Sequence, residues 1–210
     1  MSTSGRTNAA AAALAARAVS QDSELDDVVS GLSANPPRVA PRYFYDAHGS
    51  HLFGKITETP EYYPTRTELA ILQQRGGEIA HLIGRRDALP GVSRERWAVI
   101  ELGSGSGDKV LALLSHLGPV SAYRPIDISA AAIDATAAAV LAARPELDVR
   151  PFRGDFTDPQ AYVGLPSGAP KLVYYSGSTI GNFEPADAVR FLRDLRAQLA
   201  PGDCLLLATD

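Results

Sequence analysis

Residues 101–109 hold an acid, three alternating glycines and a lysine in one short stretch, Glu101-Leu102-Gly103-Ser104-Gly105-Ser106-Gly107-Asp108-Lys109. An apolar run, Trp97-Ala98-Val99-Ile100, leads into it, and a helical pattern, Val110-Leu111-Ala112-Leu113-Leu114, leads out. Strand, glycine turn, helix is how an open α/β sheet brings backbone close to a nucleotide-like ligand. The spacing is G-x-G-x-G, not the G-x-G-x-x-G that seats a dinucleotide pyrophosphate. Taken alone, the segment also reads as a glycine-rich turn with no ligand.

Candidate partners for such a ligand follow along the chain. Val120 to Asp127 reads as a second strand ending on an acid, and Asp127 lies 20 residues after Gly107. A carboxylate there can accept hydrogen bonds from both ribose hydroxyls. Leu147 to Phe152 is a short third strand, followed by Gly154-Asp155-Phe156. An acid and an aromatic at that point could hold an adenine amino group and ring; on their own they read as a turn residue and a core residue. Ribose and adenine contacts without a pyrophosphate cradle suit S-adenosyl-L-methionine, the cofactor expected here. The fourth strand, Lys171 to Tyr175, runs into the loop Ser176-Gly177-Ser178-Thr179-Ile180-Gly181-Asn182-Phe183-Glu184-Pro185. Asn182 offers both a donor and an acceptor, which suits the amine and carboxylate of an amino acid. A plain turn role for Asn182 is equally open.

These residues need a scaffold, and the alternation from residue 96 onward supplies one. Ser129 is placed to cap an Ala-rich helix from about Ala130 to Ala143, ending before Pro145. A helix from about Ala186 to Leu199 and a fifth strand, Cys204 to Ala208, complete a βαβα pattern and a mainly parallel sheet. Upstream, residues 1–35 read as an Ala-rich, flexible leader containing a possible helix from Ser23 to Leu32. Residues 36–95 read as an aromatic-rich, helical segment that forms part of a substrate pocket, and 96–210 as the cofactor domain. Within the middle segment, Thr65 with Glu68 three residues on resembles a capping box, opening a helix from Arg66 to about Leu82. Gly84 to Arg96 reads as a linker.

With 45% hydrophobic and 21% charged residues the chain reads as globular, and a net charge of −4 argues against a nucleic-acid partner. One cysteine, Cys204, cannot form an internal disulfide and reads as a core thiol. The four histidines, His48, His51, His81 and His116, form no tight cluster and read as surface residues, so no metal is expected. No apolar run is long enough for a membrane span.

The segments Tyr43-Phe44-Tyr45-Asp46-Ala47-His48-Gly49-Ser50, Leu52-Phe53 and Pro60-Glu61-Tyr62-Tyr63-Pro64-Thr65-Arg66 resemble the N-terminal signature of a known family. This is the family of histidine-specific, S-adenosylmethionine-dependent Nα-methyltransferases of ergothioneine biosynthesis. Glu101 to Gly105 and Gly177 to Phe183 match the same family, and the resemblance runs in order over about residues 25–210. It implies a Rossmann-like class I methyltransferase fold. It implies conversion of L-histidine to Nα,Nα,Nα-trimethylhistidine by successive transfers. By motif, Gly103, Lys109, Asp127, Asp155 and Phe156 would bind the cofactor. Tyr62 and Asn182 would hold the amino acid, and Tyr45 would lie near the imidazole. No general base stands out, so no catalytic residue is assigned; a water would take the proton. A cytoplasmic monomer with no membrane partner is expected. Family members are longer, continuing past the fifth strand into a lobe that completes the histidine site. Two alternatives therefore stand beside histidine methylation: a truncated cofactor-binding remnant without turnover, and a methyltransferase for another amino acid or amine.

Overall fold

Near-continuous buried runs between helical patterns give parallel strands, and the parallel sheet is what the chain forms. The computed structural model describes residues 24–84, 96–164 and 168–210. The leader up to residue 23 and most of the expected linker, residues 85–95, lie outside them. The chain divides into two compact units, Met1–Tyr43 and Phe44–Asp210. In the first, α1 (residues 24–33) is followed by a chain reversal held by Arg38 N–H on the Gly31 carbonyl at 2.9 Å. Asp27 there accepts from Arg42 at 2.7 Å and from the Tyr43 hydroxyl at 2.9 Å.

The second unit opens with α2 (Ala47–Thr57) and α3 (Pro64–Gly84). Asp46 caps α2 by accepting from Gly49 N–H at 2.7 Å. The sheet follows: β1 (Trp97–Leu102), β2 (Val120–Asp127), β3 (Asp148–Val149), β4 (Phe152–Arg153), β5 (Lys171–Tyr175) and β6 (Cys204–Leu207). Between them lie α4 (Asp108–His116), α5 (Ala130–Ala143) and α6 (Pro185–Gln198). The strand order is β3-β2-β1-β5-β6, with β4 also on β2, and every pairing is parallel. The expected third strand is thus two short ones. Arg150 N–H still reaches the Tyr123 carbonyl and Gly154 N–H the Asp127 carbonyl, but between them Pro125 of β2 has no N–H to return and the ladder is interrupted.

Both faces of the sheet are covered, as parallel sheets require. On one face Val99, Tyr123, Leu172 and Tyr174 pack with Leu72 of α3, Leu113 of α4 and Val140 of α5. On the other, Ile100, Ile126, Val173 and Tyr175 pack with Phe191 and Leu195 of α6. Cys204 is buried in the first of these cores, as a core thiol should be. His48, His51, His81 and His116 are all exposed. No helix among the described residues is long and apolar enough to cross a membrane.

Candidate functional site

A parallel sheet collects the carboxyl ends of its strands on one edge, and ligands bind there where the chain order reverses. Here β1 lies between β2 and β5, so the reversal falls between β1 and β5. The loop after β1 carries Gly103, and the loop after β5 leads to Asn182. Asp127 ends β2, Gly154-Asp155-Phe156 follows β4, and Lys109 sits in the first turn of α4. The five cofactor candidates and Asn182 therefore share one edge.

The glycine loop needs its glycines for two reasons. Gly103, Gly105 and Gly107 have φ of 76°, 56° and 83°, the left-handed region that other residues adopt only at a cost. A Cβ on Gly103 or Gly105 would meet no atom within 4 Å, so both face open space where a ligand can approach the backbone. Asp127 ties the loop down. Its Oδ2 accepts from Ser104 N–H at 3.0 Å and its Oδ1 from Ser129 N–H at 2.8 Å. A carboxylate has further lone pairs, so contacts to a ribose remain available beside these. Burial, its largest cause, raises the Asp127 pKa against those amide bonds.

Asp155 takes a turn role as well: its Oδ1 accepts from Thr157 N–H at 2.8 Å and from the Thr157 hydroxyl at 2.7 Å. The half-buried Phe156 ring meets Tyr175 and Phe191 edge-to-face, with centroids 5.4 and 5.5 Å apart. Its ring thus leans on the second core while staying at the strand-end edge.

The amino-acid candidates are linked by aromatic packing. Phe53 of α2 stands edge-on to both Tyr45 and Tyr62, each at 5.7 Å. The Arg66 guanidinium donates to the carbonyls of Thr59 and Pro60, both at 2.7 Å, and so fixes the turn that presents Tyr62. The tyrosine-rich signature thereby acquires a physical reason for its arginine. The Tyr62 pKa is raised, first by burial and then by Tyr45, Asp210 and Glu68, so the phenol stays protonated. Asn182 ends the 3-10 turn Thr179–Asn182 and is exposed. That turn begins at Ser178, which holds a left-handed φ of 54°. Such strain in a non-glycine residue concentrates at functional sites.

The contacts of two further acids, Glu101 and Glu68, emerge only in three dimensions. Glu101 is 1% exposed; Tyr123 donates to its Oε2, and its Oε1 has no hydrogen-bond partner. Glu68 does not form a capping box. The helix starts at Pro64, which puts Thr65 inside it, and Thr67 N–H bonds the Tyr63 carbonyl. The Glu68 carboxylate instead accepts from Lys109 Nζ at 2.9 Å, Tyr174 Oη at 2.7 Å and Gly177 N–H at 2.9 Å. A cleft of about 250 Å³ opens beside it, lined by Ile71, Leu72, Tyr174, Ser178 and Leu206 among others.

Comparisons with known proteins bear on the family and the fold. The chain is 39% identical over 187 residues to a histidine N-alpha-methyltransferase of Mycobacterium tuberculosis, covering 88% of this chain and 54% of the relative. It is 41% identical over 188 residues to the enzyme of that name from Mycolicibacterium smegmatis, again covering 88% and 54%. A 4-dimethylallyltryptophan N-methyltransferase of Claviceps fusiformis is 30% identical, with 88% of this chain and 51% of that one covered. The chain thus spans about half the length of the curated relatives it matches. Among solved structures, a plantazolicin methyltransferase in complex with SAH aligns at a TM-score of 0.50 and 15% identity, over 91% of this chain and 59% of that one. An S-adenosyl-L-methionine-dependent methyltransferase structure from Methanococcus maripaludis gives a TM-score of 0.50 at 18% identity, over 78% and 64%. These two likenesses show the fold, a Rossmann-like methyltransferase sheet. The family described as histidine-specific, SAM-dependent methyltransferases matches residues 24–210, and the chain belongs to it.

Proposed function

We propose that this chain carries the cofactor site and part of the amino-acid site of an enzyme that methylates the α-amino group of L-histidine, through to the trimethylated product. The observation that carries the reading is the shared edge: an open glycine loop at β1 faces the Asn182 loop at β5 across the reversal of strand order. Membership of a histidine-specific family supports the substrate.

The residues present fit the cofactor. The open faces of Gly103 and Gly105 leave room for it, the Asp127 carboxylate would offer acceptors to a ribose, and Asp155 and Phe156 would offer an acceptor and a ring to adenine. Lys109 offers a cation to its only anionic group, the carboxylate. When bound, the cofactor supplies a methyl already made electrophilic by its sulfonium. The protein's own work is then alignment. Tyr62 and Asn182 hold the amino acid's amine and carboxylate, and Tyr45 stands at the ring end of the aromatic row. The attacking amine must be neutral, whereas free α-amino groups are largely protonated at neutral pH. Tyr62, held protonated by burial, acts as a donor rather than a base; the proton leaves to water.

Calorimetry with S-adenosylhomocysteine and mass spectrometry of histidine incubated with S-adenosylmethionine test the reading. Cofactor-product binding together with methylated histidine is expected. Absence of S-adenosylhomocysteine binding would refute it. S-adenosylhomocysteine binding without methylated histidine would leave only the cofactor half of the reading standing.

A further inference from the structure

Glu68 joins three pieces of the second unit that the sequence keeps far apart. Its partners Lys109, Tyr174 and Gly177 lie 41, 106 and 109 residues downstream. One oxygen, Oε2, takes both the Lys109 ammonium and the Gly177 amide, while Oε1 takes the Tyr174 hydroxyl. The pair is sheltered: the Lys109 and Glu68 side chains are 17% and 13% exposed. The fit is close on the far side too, since a Cβ on Gly177 would lie 3.2 Å from Lys109 Nζ. Glycine at 177 leaves that space to the ammonium.

We propose that Glu68 is a positioning residue for methyl transfer: it holds the Lys109 ammonium against Gly177 at the strand-end edge, ready for the cofactor carboxylate, and pins the backbone of the loop that ends at Asn182. One carboxylate thereby sets the cofactor and amino-acid subsites against each other. The inference rests on the cofactor role given to Lys109 above. An ammonium has three donors, so the bond to Glu68 leaves others for a ligand carboxylate. Lysine is a point charge on a flexible stem and needs such an anchor to be preorganised.

The test compares two ligands that differ in the amino-acid portion. S-adenosylhomocysteine carries the carboxylate; 5′-methylthioadenosine keeps the adenosine and sulfur but lacks it. In calorimetry on the whole chain, Glu68→Gln should weaken S-adenosylhomocysteine about tenfold or more, the size of a hydrogen bond to a charged group. It should leave methylthioadenosine unchanged. Lys109→Met should show the same selectivity, and Glu68→Gln added to Lys109→Met should cost nothing further, because one acts through the other. Equal weakening of both ligands would make Glu68 a structural brace only and overturn the proposal, as would unchanged or tighter binding of S-adenosylhomocysteine. If Lys109→Met itself leaves that affinity intact, the cofactor role of Lys109 fails first. Should Glu68→Gln not fold, Glu68→Asp, which withdraws the charge by one methylene, serves with the same two ligands and the same outcomes.

Discussion

Glu101 sits at the end of β1 with no exposed surface to speak of, and burial pushes its carboxyl up to about 8. The Tyr123 hydroxyl and the Lys109 charge pull the other way without restoring the usual range. In the unfolded chain a glutamate titrates near 4.3. Between those values the folded protein keeps a proton that the unfolded chain has lost. Stability should therefore fall as pH rises from about 5 to about 8, at a slope approaching roughly 1.4 kcal/mol per unit, and level off above. Asp127, also raised by burial, adds to the same sign. Glu101→Gln should flatten the profile; urea midpoints across that range decide, and parallel slopes for both proteins would show that Glu101 does not carry the effect. At Gly103, a valine must adopt a φ of 76° and fill the open face of the loop. Gly103→Val should abolish S-adenosylhomocysteine binding while the circular dichroism spectrum persists, and retained affinity would reject the loop as the cofactor seat. Asn182→Ala should do the reverse, weakening histidine while sparing S-adenosylhomocysteine. Equal loss of both would put Asn182 in the wrong subsite.

Helix α5 reaches the glycine loop through one side chain. Thr136, fully buried, donates from Oγ1 to the Gly105 carbonyl at 3.1 Å. Thr136→Val keeps the volume and strands that carbonyl, which should cost about 1–2 kcal/mol of stability by urea denaturation. It should also lower S-adenosylhomocysteine affinity severalfold; undiminished affinity would mean that the loop holds its shape without α5. Elements of this kind were legible in the sequence because their signals are local. Ser129 caps α5 as its position implies, accepting from Ala132 N–H at 3.3 Å, and the βαβα alternation predicts the sheet. Two misreadings share a cause. Thr65 and Glu68 fit a local capping pattern, but the turn fixed by Arg66 starts the helix earlier and turns Glu68 toward partners no window of sequence contains. The third strand reads as one run, and only the pairing sets it opposite Pro125 of β2, which has no donor to return. Helix α2 was given no bounds because Gly49 and Gly54 interrupt its eleven residues; Asp46, three residues before Gly49, was the available signal. Within the site, the glycine loop was visible from spacing. Asp127 appeared as a ligand partner, and its work in holding Ser104 and Ser129 required the fold.

At the scale of the whole molecule, β6 poses a physical problem. It pairs with β5 on one side and with no described strand on the other. Leu205 in its middle is 38% exposed. An apolar strand edge with free amides and carbonyls is a template for pairing with another chain, and natural sheets blunt such edges with lysine. The match covers 54% of each of two relatives, so they have additional chain from which such a surface could be covered. For the 210-residue chain alone, self-association through β6 is expected as concentration rises. Leu205→Lys places a charge on that edge. It touches none of the loops at the strand ends, so S-adenosylhomocysteine affinity should stay as it was. Sedimentation velocity across a concentration series should then show the wild-type chain forming larger species and the variant remaining smaller. If both associate alike, β6 is not the contact, and the exposed leucine is an ordinary surface residue of a monomer.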